Sequence, residues 1–460
     1  MKVALILCPS LYKRLPLNGI AYLSAYLRNR RHAVDVIDCN AEYEWPNNDK
    51  ENVWQNKRHI DNFTSINRLL FESIVDRIIK TDAPVIGFSV WASTKHISLY
   101  IARLIKDRDT KRLIVFGGPE CSFTGEELIN NDAVDIVVRG EGEVTLAEIV
   151  SQMNTYGKVN YCKGAIVKID GAIVDGGFRP EIEDLDSLSF PDYSDFCLNK
   201  YNADHALPIS FSRGCLRQCA FCNTATTWKK LRSRTAQNVF AEMVHQLSLF
   251  PTTRKFEIDD SALNLNIRLL NDLSDLMISD GMAVNWGGSG LIRKEMNAPL
   301  LQKMAQAGFN CIGYGLESGS QKIVDLMGKG FLMDDAERVI RDTFNANIEV
   351  IVGIVIGFPG ETEEDFMATL HFLEKNKKYL SWVHTPSECS IGGNSYLQRN
   401  PERFGVSAES LRLGGAQGWT SLDGTSNTHE ERERRMVLFD QFLDAHSISQ
   451  KHYTTVVKKQ

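Results

Sequence analysis

The chain predicts an α/β protein: an N-terminal doubly wound (Rossmann-like) parallel sheet, a partial (β/α)6 barrel, and a small α-rich C-terminal region. Three observations carry this reading. Five short β-branched runs alternate with helical stretches over residues 1–155; six further strand–helix units begin near residue 207; and an acidic, proline-bearing stretch, Glu183-Asp-Leu-Asp-Ser-Leu-Ser-Phe-Pro-Asp-Tyr193, separates the two series. Strands that alternate with helices form parallel sheets covered on both faces, and therefore appear as nearly continuous apolar runs.

In the first series, residues 3–7, 33–38, 84–90, 112–116 and 134–138 read as buried parallel strands. A helix over 15–30 places Ile20, Leu23 and Leu27 on one face. Residues 42–67 are polar and irregular apart from Trp45 and Trp54, which predicts a loop or lid carrying part of the substrate selectivity. Residues 163–174 read as a hairpin turning at Asp170-Gly171. In the second series the strands are 207–212, 255–259, 283–287, 310–315, 349–356 and 382–389. Thr428-His-Glu-Glu431 is a capping box that opens a last helix running to about residue 445. The expected organisation is 1–155, a hairpin and linker over 156–200, a barrel over 201–390, and a C-terminal region over 391–460.

At 460 residues, 43% hydrophobic and 24% charged, the chain can bury two or three cores, which excludes a disordered or fibrous class. A net charge of −6 with scattered basic residues leaves no broad nucleic-acid footprint. No stretch approaches the roughly 18 apolar residues of a membrane span, and the apolar run before Pro9 is too short for a leader. Of the ten cysteines, seven are scattered singly and read as buried free thiols, the pattern of a reducing, cytoplasmic compartment.

The other three cysteines define the chemistry. Cys215, Cys219 and Cys222, in Ser212-Arg-Gly-Cys-Leu-Arg-Gln-Cys-Ala-Phe-Cys-Asn223, have a C-x3-C-x2-C spacing. Structural zinc needs four ligands, usually as two pairs, and no second pair follows. A cubane has four irons, so three thiolates on one loop leave one iron open to a substrate or cofactor.

With Phe221 just before the last cysteine, this loop resembles the cluster motif of radical S-adenosylmethionine (SAM) enzymes. The resemblance implies a [4Fe-4S] cluster on Cys215, Cys219 and Cys222, SAM chelated at the open iron, and reductive cleavage of SAM to a 5′-deoxyadenosyl radical. It also implies a small-molecule substrate and an external electron donor such as flavodoxin or ferredoxin. Active residues in such barrels lie at strand carboxyl ends, where a sulfonium ligand with an ammonium group and a ribose needs carboxylates; Asp259 and Glu317 stand there. Gly357, in Gly353-Ile-Val-Ile-Gly-Phe-Pro-Gly-Glu361, belongs to a segment similar to the family's adenine-packing stretch. Asp260, Ser261 and Glu361 read equally well as caps of their following helices. Arg232 or Arg234 is the candidate to neutralise the SAM carboxylate or the cluster's negative charge, whereas Lys229 and Lys230 read as a solvated loop.

The first series keeps small residues at its strand ends: Ser89 after the third strand, Gly117 and Gly118 after the fourth, Gly140 and Glu141 after the fifth, with Gly19 opening the first helix. Taken singly, each glycine is a strand–helix turn. Together, over essentially the whole first 150 residues, they resemble the cobalamin-binding domain that precedes the barrel in one radical SAM branch. The D-x-H-x-x-G signature that gives cobalt a histidine ligand is absent, so bound cobalamin is expected to have no histidine on its lower face. The implied function is a cobalamin-dependent radical SAM enzyme, by default methylating an unactivated carbon. Ring formation or rearrangement without methyl transfer, and a non-catalytic iron–sulfur or corrin-binding protein, stand as alternatives. The methylthiotransferase branch carries cluster cysteines in its first domain, and Cys8, Cys39 and Cys121 lack that pattern.

Overall fold

Runs rich in Val and Ile become strands where helices cover both faces, and the five runs of the first series do so. The computed structural model describes residues 1–9, 14–45, 56–201, 205–384, 386–414 and 418–451, and the chain divides into two units, Met1–Asp204 and His205–Gln460. In the first unit β1 (Lys2–Leu7), β2 (Ala33–Asp38), β3 (Val85–Ser89), β4 (Leu113–Gly117) and β5 (Ile136–Val138) are parallel, in the order 2-1-3-4-5. The order reverses between β1 and β3, and the crevice beyond the carboxyl ends at such a switch point is where open sheets hold ligands.

Ile6, Ile86, Ile114 and Phe116 are fully buried in this sheet. The first helix, Asn18–Asn29, starts later than expected because Leu17 is still extended; Ile20 and Leu27 are buried and Leu23 partly so. The hairpin forms as β6 (Ala165–Ile169) and β7 (Ala172–Asp175), with Asp170 at φ 48° and Gly171 at φ 83°, both left-handed as a two-residue turn of this hand requires. β6 pairs antiparallel with β5, so the hairpin extends the sheet to seven strands instead of standing apart as a spacer.

The irregular reading of 42–67 needs correction. Lys57–Ile66 is a helix: Asn56 accepts the His59 amide at 3.2 Å as its N-cap, and Ile60 and Phe63 are buried. Trp45 donates its indole N–H to the Cys39 carbonyl at 2.7 Å and packs on Phe63 and Phe71, which makes it core and not lid. Trp54 lies outside the described residues. Of the scattered cysteines, Cys8, Cys39, Cys121, Cys162 and Cys389 are buried as expected, whereas Cys197 is exposed and Cys311 only half-buried.

The second unit contains β8 (Ala206–Ile209), β9 (Ser212–Arg213), β10 (Arg232–Ser233), β11 (Lys255–Ile258), β12 (Asn285–Gly290), β13 (Phe309–Glu317), β14 (Glu349–Ile356), β15 (Trp382–His384), β16 (Ser387–Glu388) and β17 (Gln450–Lys451). The main sheet is a parallel arc in the order 8-11-12-13-14-15-17, the partial barrel expected, with β17 added at its far edge. The expected last strand splits into β15 and β16, both paired to β14. Pro386 lies between them, and a residue without an N–H cannot continue a ladder. Beyond them come helices Tyr396–Arg399, Ala408–Gly414 and His429–Ala445; Thr428 caps the last by accepting the Glu431 amide at 3.3 Å. Among the described residues no helix is long and apolar enough to cross a membrane.

Candidate functional site

The cysteine loop leaves the carboxyl end of β8 and is closed at its base by β9 and β10, which pair antiparallel, Arg213 with Arg232 and Ser212 with Ser233. Gly214 makes the exit possible: its φ is 102°, and a Cβ there would stand 2.5 Å from the Lys230 carbonyl oxygen. Asp260, at the end of β11, accepts the Phe211 amide at 2.9 Å and the Ser212 hydroxyl at 2.6 Å, so it braces the base of the loop and does not cap the next helix. That helix, Ile267–Asp280, is capped by Asn266.

Farther along, Ala220 is buried and held on both sides: its N–H donates to Met327 O at 2.8 Å, and its carbonyl accepts the Leu397 N–H at 2.8 Å. It enters an apolar cluster with Ile323, Met327, Phe358, Leu397 and Trp419. Phe221 rests edge-on against Phe358, ring centres 6.3 Å apart. The three cysteines remain half-buried. The Cys215 sulfur faces the Arg217 amide at 3.4 Å, and the Cys222 sulfur faces the Thr224 amide at 3.4 Å and hydroxyl at 3.2 Å. Burial pushes the Cys219 thiol above its ordinary value, Lys329 pulls it back, and the neighbouring thiols Cys222 and Cys215 add to the rise.

Three half-buried thiols on one loop suit a cubane by ligand type, thiolate being its usual ligand. Among the described residues no three His, Cys, Asp or Glu side chains converge on one point. A cubane takes each thiolate on a different iron, and amides directed at the sulfurs favour the ionised form that iron requires. Cys215, Cys219 and Cys222 could therefore hold a cubane, with one iron left for SAM.

Glu317 sits at the end of β13 with φ 68°, past a register shift against β14. The turn after it is clamped to helix Glu363–Asn376: the Gly319 amide donates to Thr369 Oγ1 at 2.9 Å, and the Ser320 hydroxyl to Asp365 at 2.7 Å. The Ser318 hydroxyl meets Thr369 Oγ1 at 3.2 Å, so both serines of Glu317-Ser-Gly-Ser320 are spent on structure. The Glu317 carboxylate accepts the buried Lys329 ammonium at 2.9 Å, over Gly315, where a Cβ would lie 2.6 Å from the carboxylate and 2.9 Å from Lys329 Nζ. Burial alone would lower the Lys329 pKa, but Glu317 and then Cys219 outweigh it and hold it above its ordinary value. The Lys329 Nζ is also 5.9 Å from the centre of the Phe221 ring.

Sequence reasoning missed Lys329. Its signal, a lysine between Gly328 and Gly330, reads as a turn. The arginines proposed for its role are committed elsewhere. Arg234 is buried and pairs with Glu242 at 2.6 Å, while donating to Asn238 and Ser210; Arg232 is buried with its guanidinium facing the Trp228 ring.

Asp259 stays at the end of β11, and the charge that acts on it is that of Glu257, on the same strand. Solvent reaches it, yet crowding by surrounding atoms, with Glu257 adding, pushes its carboxyl up to about 6. Gly357 is not open to a ligand. Its N–H donates to Glu361 at 2.8 Å, its carbonyl accepts Asn427 at 3.0 Å, and a Cβ there would strike the Arg432 side chain at 2.4 Å. Glu361, buried and paired with Arg435 at 3.0 Å, is likewise no helix cap; Thr362 and Asp365 cap helix Glu363–Asn376. A cleft lined by Leu216, Arg217, Ile292, Arg293, Phe331 and Leu332 opens beside the loop.

In the first unit the strand-end residues divide. Gly19 is exposed, with no atom within 4 Å of where a Cβ would stand, and a Cβ on Gly140 would meet only Phe178, at 3.9 Å; these two leave room for a bulky ligand. Ser89 ends β3 half-buried at the switch point. Gly117 and Gly118 serve the fold: the Gly117 carbonyl accepts the Val90 amide at 2.7 Å, and a Cβ on Gly118 would lie 2.8 Å from Val90 O. The Glu141 carboxylate is taken by the Ile182 amide.

The order reversal in the 2-1-3-4-5 sheet, with open space at Gly19 and Gly140, and a three-cysteine loop at the strand ends of a partial barrel are features of a cofactor-binding α/β enzyme. Comparison with known proteins agrees. Residues 5–150 match the B12 binding domain family, and residues 288–373 match the Radical SAM superfamily, a range that begins after the cysteine loop. The chain thus carries a B12 binding domain followed by a radical SAM domain. It is 27% identical over 387 residues to an uncharacterized methyltransferase of Pyrococcus horikoshii, covering 82% of this chain and 78% of that one. TsrM from Kitasatospora setae, a radical SAM methyltransferase solved with cobalamin and a [4Fe-4S] cluster, superposes with a TM-score of 0.67 at 16% identity, over 94% of this chain and 81% of that one. The cobalamin-dependent radical SAM enzyme OxsB gives 0.65 at 18%, covering 88% of this chain but only 56% of its own length.

Proposed function

We propose that the protein methylates an unactivated carbon of a small molecule, using a cubane on Cys215, Cys219 and Cys222, SAM, and cobalamin, with electrons from an external one-electron carrier such as flavodoxin or ferredoxin. The observation that carries this reading is the half-buried three-cysteine loop beside the Glu317–Lys329 pair, in a chain whose first unit matches the B12 binding domain. When bound, the reduced cluster supplies an electron that cleaves SAM to the 5′-deoxyadenosyl radical, and the corrin supplies a methyl carrier.

The chain's residues do the positioning. Asp260 and the β9–β10 pairing fix the loop at its base, and Ala220 fixes it near its end. Glu317 offers a carboxylate to the SAM ammonium, held in place by its bond to Lys329. Phe221, against Phe358, keeps the floor of the site apolar and limits water. Gly19, Gly140 and Ser89 would receive the corrin. Two tests bear on this reading. Anaerobic incubation with hydroxocobalamin, desalting and an absorbance spectrum should give near-stoichiometric corrin; none retained removes methyl transfer. Cys219→Ala should lose the cubane and 5′-deoxyadenosine formation together, and normal cleavage by that variant would overturn the cluster assignment.

A further inference from the structure

A buried ammonium needs a reason. Lys329 is only 6% exposed, and the backbone around it is shaped to put it there: Gly328 and Gly330 both have left-handed φ, 71° and 64°. A Cβ on Gly328 would lie 3.4 Å from Gln218 O and 4.0 Å from the Cys219 Cα, and one on Gly330 would lie 2.3 Å from the Arg217 guanidinium. Met327, immediately before, accepts the Ala220 amide. Gly-Lys-Gly is therefore a clasp closed on the Arg217–Ala220 part of the cysteine loop, with its one side chain inside. The pairing with Glu317 accounts for part of the ammonium's cost of burial.

We propose that Lys329 is a positioning residue that sets the reduction potential of the cluster, its fixed positive charge offsetting the negative charge of the thiolates and of the added electron. Glu317 is the counterweight, so the two residues tune the potential in opposite directions. Net charge is among the principal determinants of iron–sulfur potentials, and charges act most strongly where water is excluded. This inference rests on the reading of the loop as a cluster site.

The test uses full-length protein reconstituted anaerobically, assayed for iron and sulfide, and titrated by EPR without SAM. Lys329→Met should make the cluster harder to reduce, with about tenfold fewer reduced clusters at a fixed potential, equivalent to about 59 mV for a one-electron couple. Glu317→Gln should shift the potential the other way. Lys329→Arg, which keeps the charge, should stay within a few-fold of the parent. Unshifted Lys329→Met and Glu317→Gln proteins with full iron content overturn the proposal, as does a Lys329→Arg shift equal to that of Lys329→Met. Where Lys329→Met takes up no iron, the Glu317→Gln arm decides: an upward shift supports the proposal and no shift sinks it. Failure of the parent protein to form any cubane would instead count against the cluster reading itself.

Discussion

Asp260 holds Ser212 at 2.6 Å across the step from β11 to the base of the cysteine loop. The bond is made by a carboxyl that burial pushes up to about 7, although the Ser212 hydroxyl and the Phe211 amide act against the rise. Glu361, also pushed up to about 7 by burial, behaves alike. Both groups hold protons in the folded protein that the unfolded chain releases, so their contribution to stability falls as pH rises from about 4 to 7. Asp260→Asn keeps an acceptor for Ser212 and removes one titration. Urea unfolding at pH 5.5 and 7.5 should show a smaller loss of stability with pH in this variant than in the parent, and equal losses would refute the assignment.

Gly214 should tolerate no side chain. Alanine there meets the Lys230 carbonyl and an unfavourable φ, a strain on the order of 1–3 kcal/mol. Gly214→Ala should lower Tm modestly and iron uptake severely, because the strain falls on the loop. Full iron content with unchanged Tm would show that the loop exits differently.

The buried pair of Arg435 and Glu361 ties helix His429–Ala445 to the turn after β14, where Glu361 also accepts the Gly357 amide. Arg435→Met leaves an unpaired buried carboxylate, at a cost of about 3–5 kcal/mol. Because Glu361 readily takes a proton, the cost should be larger at pH 8 than at pH 6. Unfolding free energies at those two pH values check this, and a cost independent of pH counts against it.

Gly19 should separate folding from corrin binding. Open space surrounds it and it lies within a helix, so Gly19→Leu should leave Tm unchanged or slightly higher. Corrin retained after desalting should fall several-fold. Stoichiometric retention would place the corrin elsewhere.

Sequence patterns were informative where one residue type had one physical outcome. The runs that became β1 to β5 and β14 are apolar and β-branched, and no other covered structure suits them. The cysteine spacing was equally plain. Helix Lys57–Ile66 is hard to read because its buried side is marked by two apolar residues, Ile60 and Phe63, with Thr64, among Arg58, His59, Asp61 and Asn62. β17 is two residues long, too short for any periodicity. The site's cations were misassigned for a different reason: burial of a charge is decided by its partner. Arg234 is buried because Glu242, eight residues on, meets it, and Lys329 because Glu317, twelve residues back, does. Gly357 looked like a ligand contact, but its neighbours Arg432 and Asn427 come from seventy or more residues farther along the chain.

The bond from Leu397 to the Ala220 carbonyl also limits how this scaffold can be recombined. Grafting a relative's C-terminal region onto this barrel in order to change substrate would replace the turn that secures the backbone between Cys219 and Cys222. Chimeras joined before residue 390 should therefore lose iron along with their original specificity, whereas junctions placed after Arg399 should keep it.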